Sequence, residues 1–281
     1  MKQIFRLELT VPEVDFHRAT GFLTLRVPFG WEEQSRPTGE TVFRVHCENP
    51  DFIQSLRQDS LAWLPGAVCT VENLEAQDWL AAWRQFFTPV VCGRFVVLPP
   101  WLADDPAFAD KTPIIIEPKS AFGTGHHATT ALCLEVLSGL LDAGRVHAGQ
   151  RFLDLGTGSG VLGIACCKSG LHGLGLDIDP LAVENAEENR RRNAVPQLEL
   201  GLGGVEAAVG TGYDVILANI LARPLTEMAP DLVRCLAPGG CLVLSGLLDI
   251  QAEGVIAAYA AQGLPVPRQA AQESWRALVW E

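Results

Sequence analysis

One run constrains this chain more than any other: Phe152-Leu153-Asp154-Leu155-Gly156-Thr157-Gly158-Ser159-Gly160-Val161-Leu162-Gly163. A short apolar strand ends in three alternating glycines, and an apolar helix begins at once. Glycines let the backbone turn tightly and approach a ligand closely. The rest of the chain repeats the strand–helix pattern. Strands are expected over 151–155, 174–178, 198–200, 213–217 and 241–245, with helices over 161–168, 180–192, 225–236 and 250–262. Short apolar strands alternating with helices argue for a parallel sheet covered on both faces. Two last strands, 266–269 and 275–280, are joined by a turn without a helix, so they are expected to run antiparallel at the sheet edge.

An acidic residue accompanies the glycines. Asp177 lies 21 residues after Gly156, at the end of the next strand, where a carboxylate accepts hydrogen bonds from a ribose. Two cofactor classes compete for this pair. Residues 158–163 fit G-x-G-x-x-G, the dinucleotide pattern, which would make the chain an NAD-dependent oxidoreductase. However, Asp154 stands two residues before Gly156, and a carboxylate there repels a pyrophosphate. It suits a ligand carrying an amine and a sulfonium, so the reading turns to S-adenosylmethionine. Asp179-Pro180 reads as a helix N-cap followed by proline at the first helical position. The run Glu187-Glu188-Asn189-Arg190-Arg191-Arg192 reads as a solvated helix face.

Ahead of this lies a different regime. Residues 1–72 hold strand-like segments at 4–11, 21–27 and 41–47, and a helix over 52–61 introduced by Asn49-Pro50-Asp51. They make a small α+β domain. Residues 73–100 form a connector: an amphipathic helix over 74–87, with Trp79 and Trp83 four apart, and a strand over 94–98. A strand over 113–117 follows. Residues 101–281 form the catalytic domain. Lys plus Arg is 21 against 33 Asp plus Glu, a net charge of −12. Direct nucleic-acid binding, which needs clustered cations, is therefore not expected. Eight cysteines include no C-x-x-C pair, so reduced thiols are expected and no metal site. No export signal or membrane span is read, so a cytoplasmic protein is expected. A monomer is expected as well.

Three further segments narrow the reading: Ala121-Phe122-Gly123-Thr124-Gly125-His126-His127-Ala128-Thr129-Thr130, Asp177-Ile178-Asp179-Pro180-Leu181-Ala182-Val183, and Ala218-Asn219-Ile220-Leu221-Ala222-Arg223-Pro224-Leu225. With Leu236-Ala237-Pro238-Gly239-Gly240, the chain resembles the ribosomal protein L11 methyltransferase family from about Trp79 onward. The resemblance implies a class I methyltransferase domain: Rossmann-like, with a mostly parallel seven-stranded sheet and an antiparallel C-terminal hairpin. It adds a small ferredoxin-like substrate-recognition domain and a linker helix over 77–87. It implies S-adenosylmethionine as cofactor, and lysine ε-amines and the N-terminal α-amine of ribosomal protein L11 as substrate. A different protein-lysine or small-amine N-methyltransferase is the alternative, because 26–39 is unlike the family. By position, Thr130, Gly156, Gly158, Asp177 and Asn219 would meet the cofactor, Thr130 at its methionine end. Asn219 would lie beside the methyl-transfer centre as the catalytic residue. His126 or His127 would touch substrate or shape the loop.

Overall fold

The computed structural model describes residues 3–27, 30–36, 38–75, 87–117, 127–208 and 212–281. It divides into two compact units, Met1–Phe86 and Phe87–Glu281.

The first unit runs β1 (Gln3–Pro12), α1 (Phe16–Arg26), β2 (Glu32–Ser35), β3 (Glu40–Cys47), α2 (Pro50–Trp63) and β4 (Val68–Glu75). Its sheet has the order β2-β3-β1-β4 with every neighbouring pair antiparallel. This is the split βαβ arrangement of ferredoxin-like folds. Successive strand side chains point to opposite faces. Leu7, Leu9 and Val11 are accordingly fully buried against Leu23, Ile53 and Leu56 of the two helices. On the other face Arg6 pairs with Glu72 and Arg44 with Glu8, across neighbouring strands. Asn49 starts α2: its Oδ1 accepts the N–H groups of Asp51 and Phe52 at 3.0 and 3.1 Å.

One expectation fails here. Residues 21–27, read as a strand, belong to α1 and its C-cap. Their burial has helical spacing, with Ala19, Phe22 and Leu23 inside. The Thr20 hydroxyl turns inward to the Phe16 carbonyl at 3.0 Å, so this β-branched residue is accommodated within a helix. Residues 76–86, with Trp79, Trp83 and most of the expected connecting helix, lie outside the described residues.

The second unit opens with a small sheet. β5 (Val90–Cys92) is antiparallel to β6 (Phe95–Leu98), which is parallel to β7 (Thr112–Ile115). Then come α3 (Ala128–Asp142), β8 (Arg151–Leu155), α4 (Val161–Lys168), β9 (His172–Asp177), α5 (Pro180–Arg192) and β10 (Leu198–Leu202). They are followed by β11 (Tyr213–Asn219), α6 (Ala222–Glu227), α7 (Ala229–Cys235), β12 (Leu236–Leu248), α8 (Asp249–Ala260), β13 (Arg268–Gln272) and β14 (Trp275–Trp280). The main sheet has seven strands in the order β10-β9-β8-β11-β12-β14-β13. Strands β8 to β12 are parallel, and β14 runs antiparallel to both of its neighbours. Both faces are covered. Phe152, Val215 and Val243 feed one core with α3 and α4, while Leu153, Ile216 and Leu244 feed the other with α6, α7 and α8. That explains why these strands read as continuous apolar runs.

The helix expected over 225–236 is two helices. Met228 leaves helical geometry between them, and Pro230 sits in the first turn of α7, where its missing N–H costs nothing. All eight cysteines are free. Burial pushes the Cys133 and Cys167 thiols up to about 12, so they are inert packing groups. No helix among the described residues is long and apolar enough to cross a membrane.

Candidate functional site

The C-terminal ends of the parallel strands surround a cavity of about 570 Å3. That size is typical of small-molecule sites. The sheet order reverses direction between β8 and β11, and in open α/β sheets ligands bind at that crevice. Gly156, Gly158, Asp177, Asn219, Ile220 and Trp275 are among the residues that line it.

The glycine loop follows from backbone geometry. Gly156, Gly158 and Gly160 have φ of 72°, 55° and 83°, a left-handed conformation that other residues adopt only under strain. The N–H groups of Gly156 and Thr157 both donate to the Leu176 carbonyl, folding the loop over the end of β9. Asp177 then fastens it. Its Oδ2 accepts the Gly158 N–H at 2.9 Å, and its Oδ1 accepts the Asp179 N–H at 3.0 Å. Each carboxylate oxygen keeps a further lone pair for a hydroxyl in the cavity. Asp179 caps α5 through the Leu181 N–H at 2.9 Å, as its position before Pro180 implies.

Asp154 works differently from the sequence argument. It is fully buried behind the loop and does not line the cavity. Its Oδ2 accepts the Thr157 hydroxyl at 2.7 Å and the Gly163 N–H at 2.9 Å, clamping the loop to the first turn of α4. Burial pushes its carboxyl up to about 6, against the pull of those two hydrogen bonds, and nearby Asp177 pushes the same way as burial. Its charge therefore reaches a ligand only through the loop.

The fourth strand brings Asn219 to the cavity. Its Nδ2 donates to Thr130 Oγ1 at 3.2 Å, while its Oδ1 is buried without a partner among the described residues. Thr130 itself is fully buried in the first turn of α3, and Thr129 is the neighbour that lines the cavity. His127 caps α3, its Nδ1 accepting the Thr129 N–H, and its ring meets Trp275 edge to face at 4.8 Å. His126 and the rest of 118–126 lie outside the described residues.

Ile220, next to Asn219, is held from three sides. Its N–H donates to the Ser245 carbonyl at 3.2 Å. A Cβ on Gly156 would come 2.2 Å from Ile220 Cγ2, and one on Gly246 would come 2.2 Å from the Ile220 carbonyl oxygen. Sequence reasoning missed Gly246 and Trp275 as parts of the site. Gly246, following an apolar strand directly, was the visible signal.

A parallel sheet of this order, a glycine loop after its first strand, a carboxylate ending the second and an amide ending the fourth define a class I S-adenosylmethionine-dependent methyltransferase. The sequence profile described as "Ribosomal protein L11 methyltransferase (PrmA)" matches residues 32–281. A ribosomal protein L11 methyltransferase of Chromohalobacter salexigens is 42% identical over 231 residues, covering 80% of this chain and 74% of that protein. One of Thermus thermophilus is 41% identical over 210 residues, covering 74% and 79%. The crystal structure of a ribosomal protein L11 methylase from Lactobacillus delbrueckii subsp. bulgaricus superposes with a TM-score of 0.61 at 30% identity, covering 68% of this chain and 96% of that one. The chain belongs to the ribosomal protein L11 methyltransferase family. The nicotinamide alternative is thereby set aside, although residues 158–163 do fit its pattern.

Two outcomes follow from this geometry. Gly246→Ala should drive Asn219 and Ile220 out of place and lower kcat about a hundredfold. Gly254→Ala, where a Cβ meets nothing within 4 Å, should leave kcat unchanged. Equal rates in the two variants would refute the Ile220 clamp. Asp154 favours the folded chain most below its ordinary value of 3.8, and that contribution is lost as pH rises through about 6. Between pH 4 and 7, Asp154→Asn should thus gain stability relative to the parent by on the order of 2–3 kcal/mol, read from paired chemical unfolding. A difference that stays constant over this range would contradict the raised carboxyl.

Proposed function

We propose that this chain methylates amino groups of ribosomal protein L11, namely lysine ε-amines and the N-terminal α-amine. The observation that carries the reading is the Asn219 Oδ1, a buried acceptor on the cavity wall that has no partner among the described residues and whose amide is already fixed by Thr130. Such an atom fits an N–H donor that arrives with substrate, since leaving it permanently unmet costs about 1–3 kcal/mol.

The side-chain-free loop and the Asp177 carboxylate fit S-adenosylmethionine, whose contribution when bound is a methyl group activated on a positively charged sulfur. Gly156 and Gly158 allow close approach of their backbone, and Asp177 accepts from ribose hydroxyls. Thr130, fully buried, serves the methionine end through the Asn219 amide that it holds. Asn219 Oδ1 accepts an N–H of the incoming amine and aims its lone pair along the transfer axis, so that much of the rate comes from alignment. The amine must be neutral. Free lysine amines titrate near about 10.4 and α-amines near about 7.7–8.0. The apolar wall of Ile220, Leu221, Pro224, Met228 and Trp275 strips water from the amine and favours its uncharged form. No general base is assigned. The acidic balance of −12 supports a cationic protein substrate met without nucleic-acid contact, and the reading takes the enzyme as a cytoplasmic monomer.

The decisive assay is methyl transfer from labelled S-adenosylmethionine into a ribosomal protein mixture, with the product identified by mass spectrometry. Label on L11 is expected; label on another protein or a small amine, with L11 unmodified, would move the reading to that amine. Asn219→Ala should keep cofactor affinity within about threefold and lose on the order of a hundredfold in kcat. Asp177→Ala should weaken cofactor binding by about tenfold or more in calorimetry. If Asn219→Ala turned over at the parent rate, its orienting role would be excluded.

A further inference from the structure

Helix α5 carries a buried polar stripe that the cavity does not account for. Asn185 and Asn189 in the helix and Asn193 at its C-cap stand four apart, and all three are buried. Residues four apart share a helix face. Buried amides are costly unless their hydrogen bonds are met.

For Asn189 and Asn193 the partner is the free edge of β7 and its continuation. Asn193 Oδ1 accepts the Ile115 N–H at 2.9 Å, and its Nδ2 donates to the Ile115 carbonyl at 2.6 Å. Asn189 Oδ1 accepts the Glu117 N–H at 3.0 Å. Between them, Ile116 donates in the opposite direction to the Leu98 carbonyl of β6 at 2.9 Å. Two strand residues span about 6.6 Å and four helical residues about 6.0 Å, so the side chains match the strand edge rung for rung. An ion pair at 2.9 Å from Arg192 to the Glu117 carboxylate ties the same residue to the same helix.

Asn189 does one thing that Asn193 does not. Its Nδ2 donates to the Ser159 carbonyl at 2.9 Å. Ser159 lies in the glycine loop, one residue after the N–H that Asp177 holds, and both Ser159 and Asn189 have no exposed surface. We propose that Asn189 is a positioning residue for the cofactor: Asp177 fixes the N–H side of the Gly158–Gly160 loop, and Asn189 fixes its carbonyl side. Asn189 takes its own register from the Glu117 backbone, so loop geometry depends on the edge of the small sheet. This rests on the cofactor lying against that loop.

The test compares Asn189→Asp with Asn193→Asp in the full chain. Each keeps an acceptor for the strand N–H and loses the amide donor, but only the first faces Ser159. Calorimetric titration with S-adenosylhomocysteine should show affinity weakened about tenfold or more for Asn189→Asp and within about twofold of the parent for Asn193→Asp. The KM for S-adenosylmethionine should rise in step while kcat stays within about twofold, with Tm lowered in both variants. Asn189→Ala, which adds no charge, should weaken binding in the same sense and serves if the aspartate variant folds poorly. Parent-like affinity in the Asn189 variants, or an equal loss in Asn193→Asp, would overturn the proposal. If the parent itself failed to bind S-adenosylhomocysteine, the cofactor reading would fall and this inference with it. If the parent binds and the Asn189 variants bind as well, only the positioning role falls.

Discussion

The site depends on a steric allowance. Three parallel strands end at the same level, and the chain leaving β11 must pass between the ends of β8 and β12. It does so because Gly156 and Gly246 lack the Cβ atoms that would each come 2.2 Å from Ile220. With those two positions empty, the Ile220 peptide seats on Ser245 and the preceding side chain is held rigidly at the cavity wall. The amide of Asn219 is thus placed by main-chain packing in a dense interior, where small displacements are resisted.

Around that point the buried polar groups divide their atoms between holding the fold and facing the ligand. Asp154 gives one oxygen to the loop and the next helix and none to the cavity. Asp177 uses one lone pair on each oxygen for main-chain N–H groups, with capacity left over. Asn219 commits its donor end to Thr130, and its acceptor end has no partner among the described residues. Preorganisation of this kind spares the enzyme from ordering these groups when substrate arrives.

Much of this was legible in the sequence where the signal is local. The three glycines, Asp177 and Asn219 each stand at a strand end, and the strand–helix alternation sets the sheet class without any long-range information. Asp179-Pro180 and Asn49-Pro50 declare their helices through local capping chemistry. Residues 21–27 misled because β-branched residues within them outweighed the apolar spacing of Ala19, Phe22 and Leu23. Asp154 was read as facing the ligand because a strand tip does not reveal which way its side chain turns. The clamp on Ile220 was not legible, because its contacts with Gly156 and Gly246 join strands only in the folded chain. The asparagines of α5 were visible as a spacing of four, but the adjacent run of arginines drew the reading toward solvent.

The last strand in sequence is not the last in space. β14 sits between β12 and β13, so β13 pairs with the sheet only through it. Ser245 Oγ donates to the Arg276 carbonyl, and Trp275 closes one side of the cavity. A folding intermediate in which β14 is still unpaired thus lacks two strands rather than one, and Ser245 lacks its hydroxyl's partner. Closing the cavity wall at Trp275 therefore requires a long-range pairing, between β12 and a strand that lies beyond α8 and β13 in the chain.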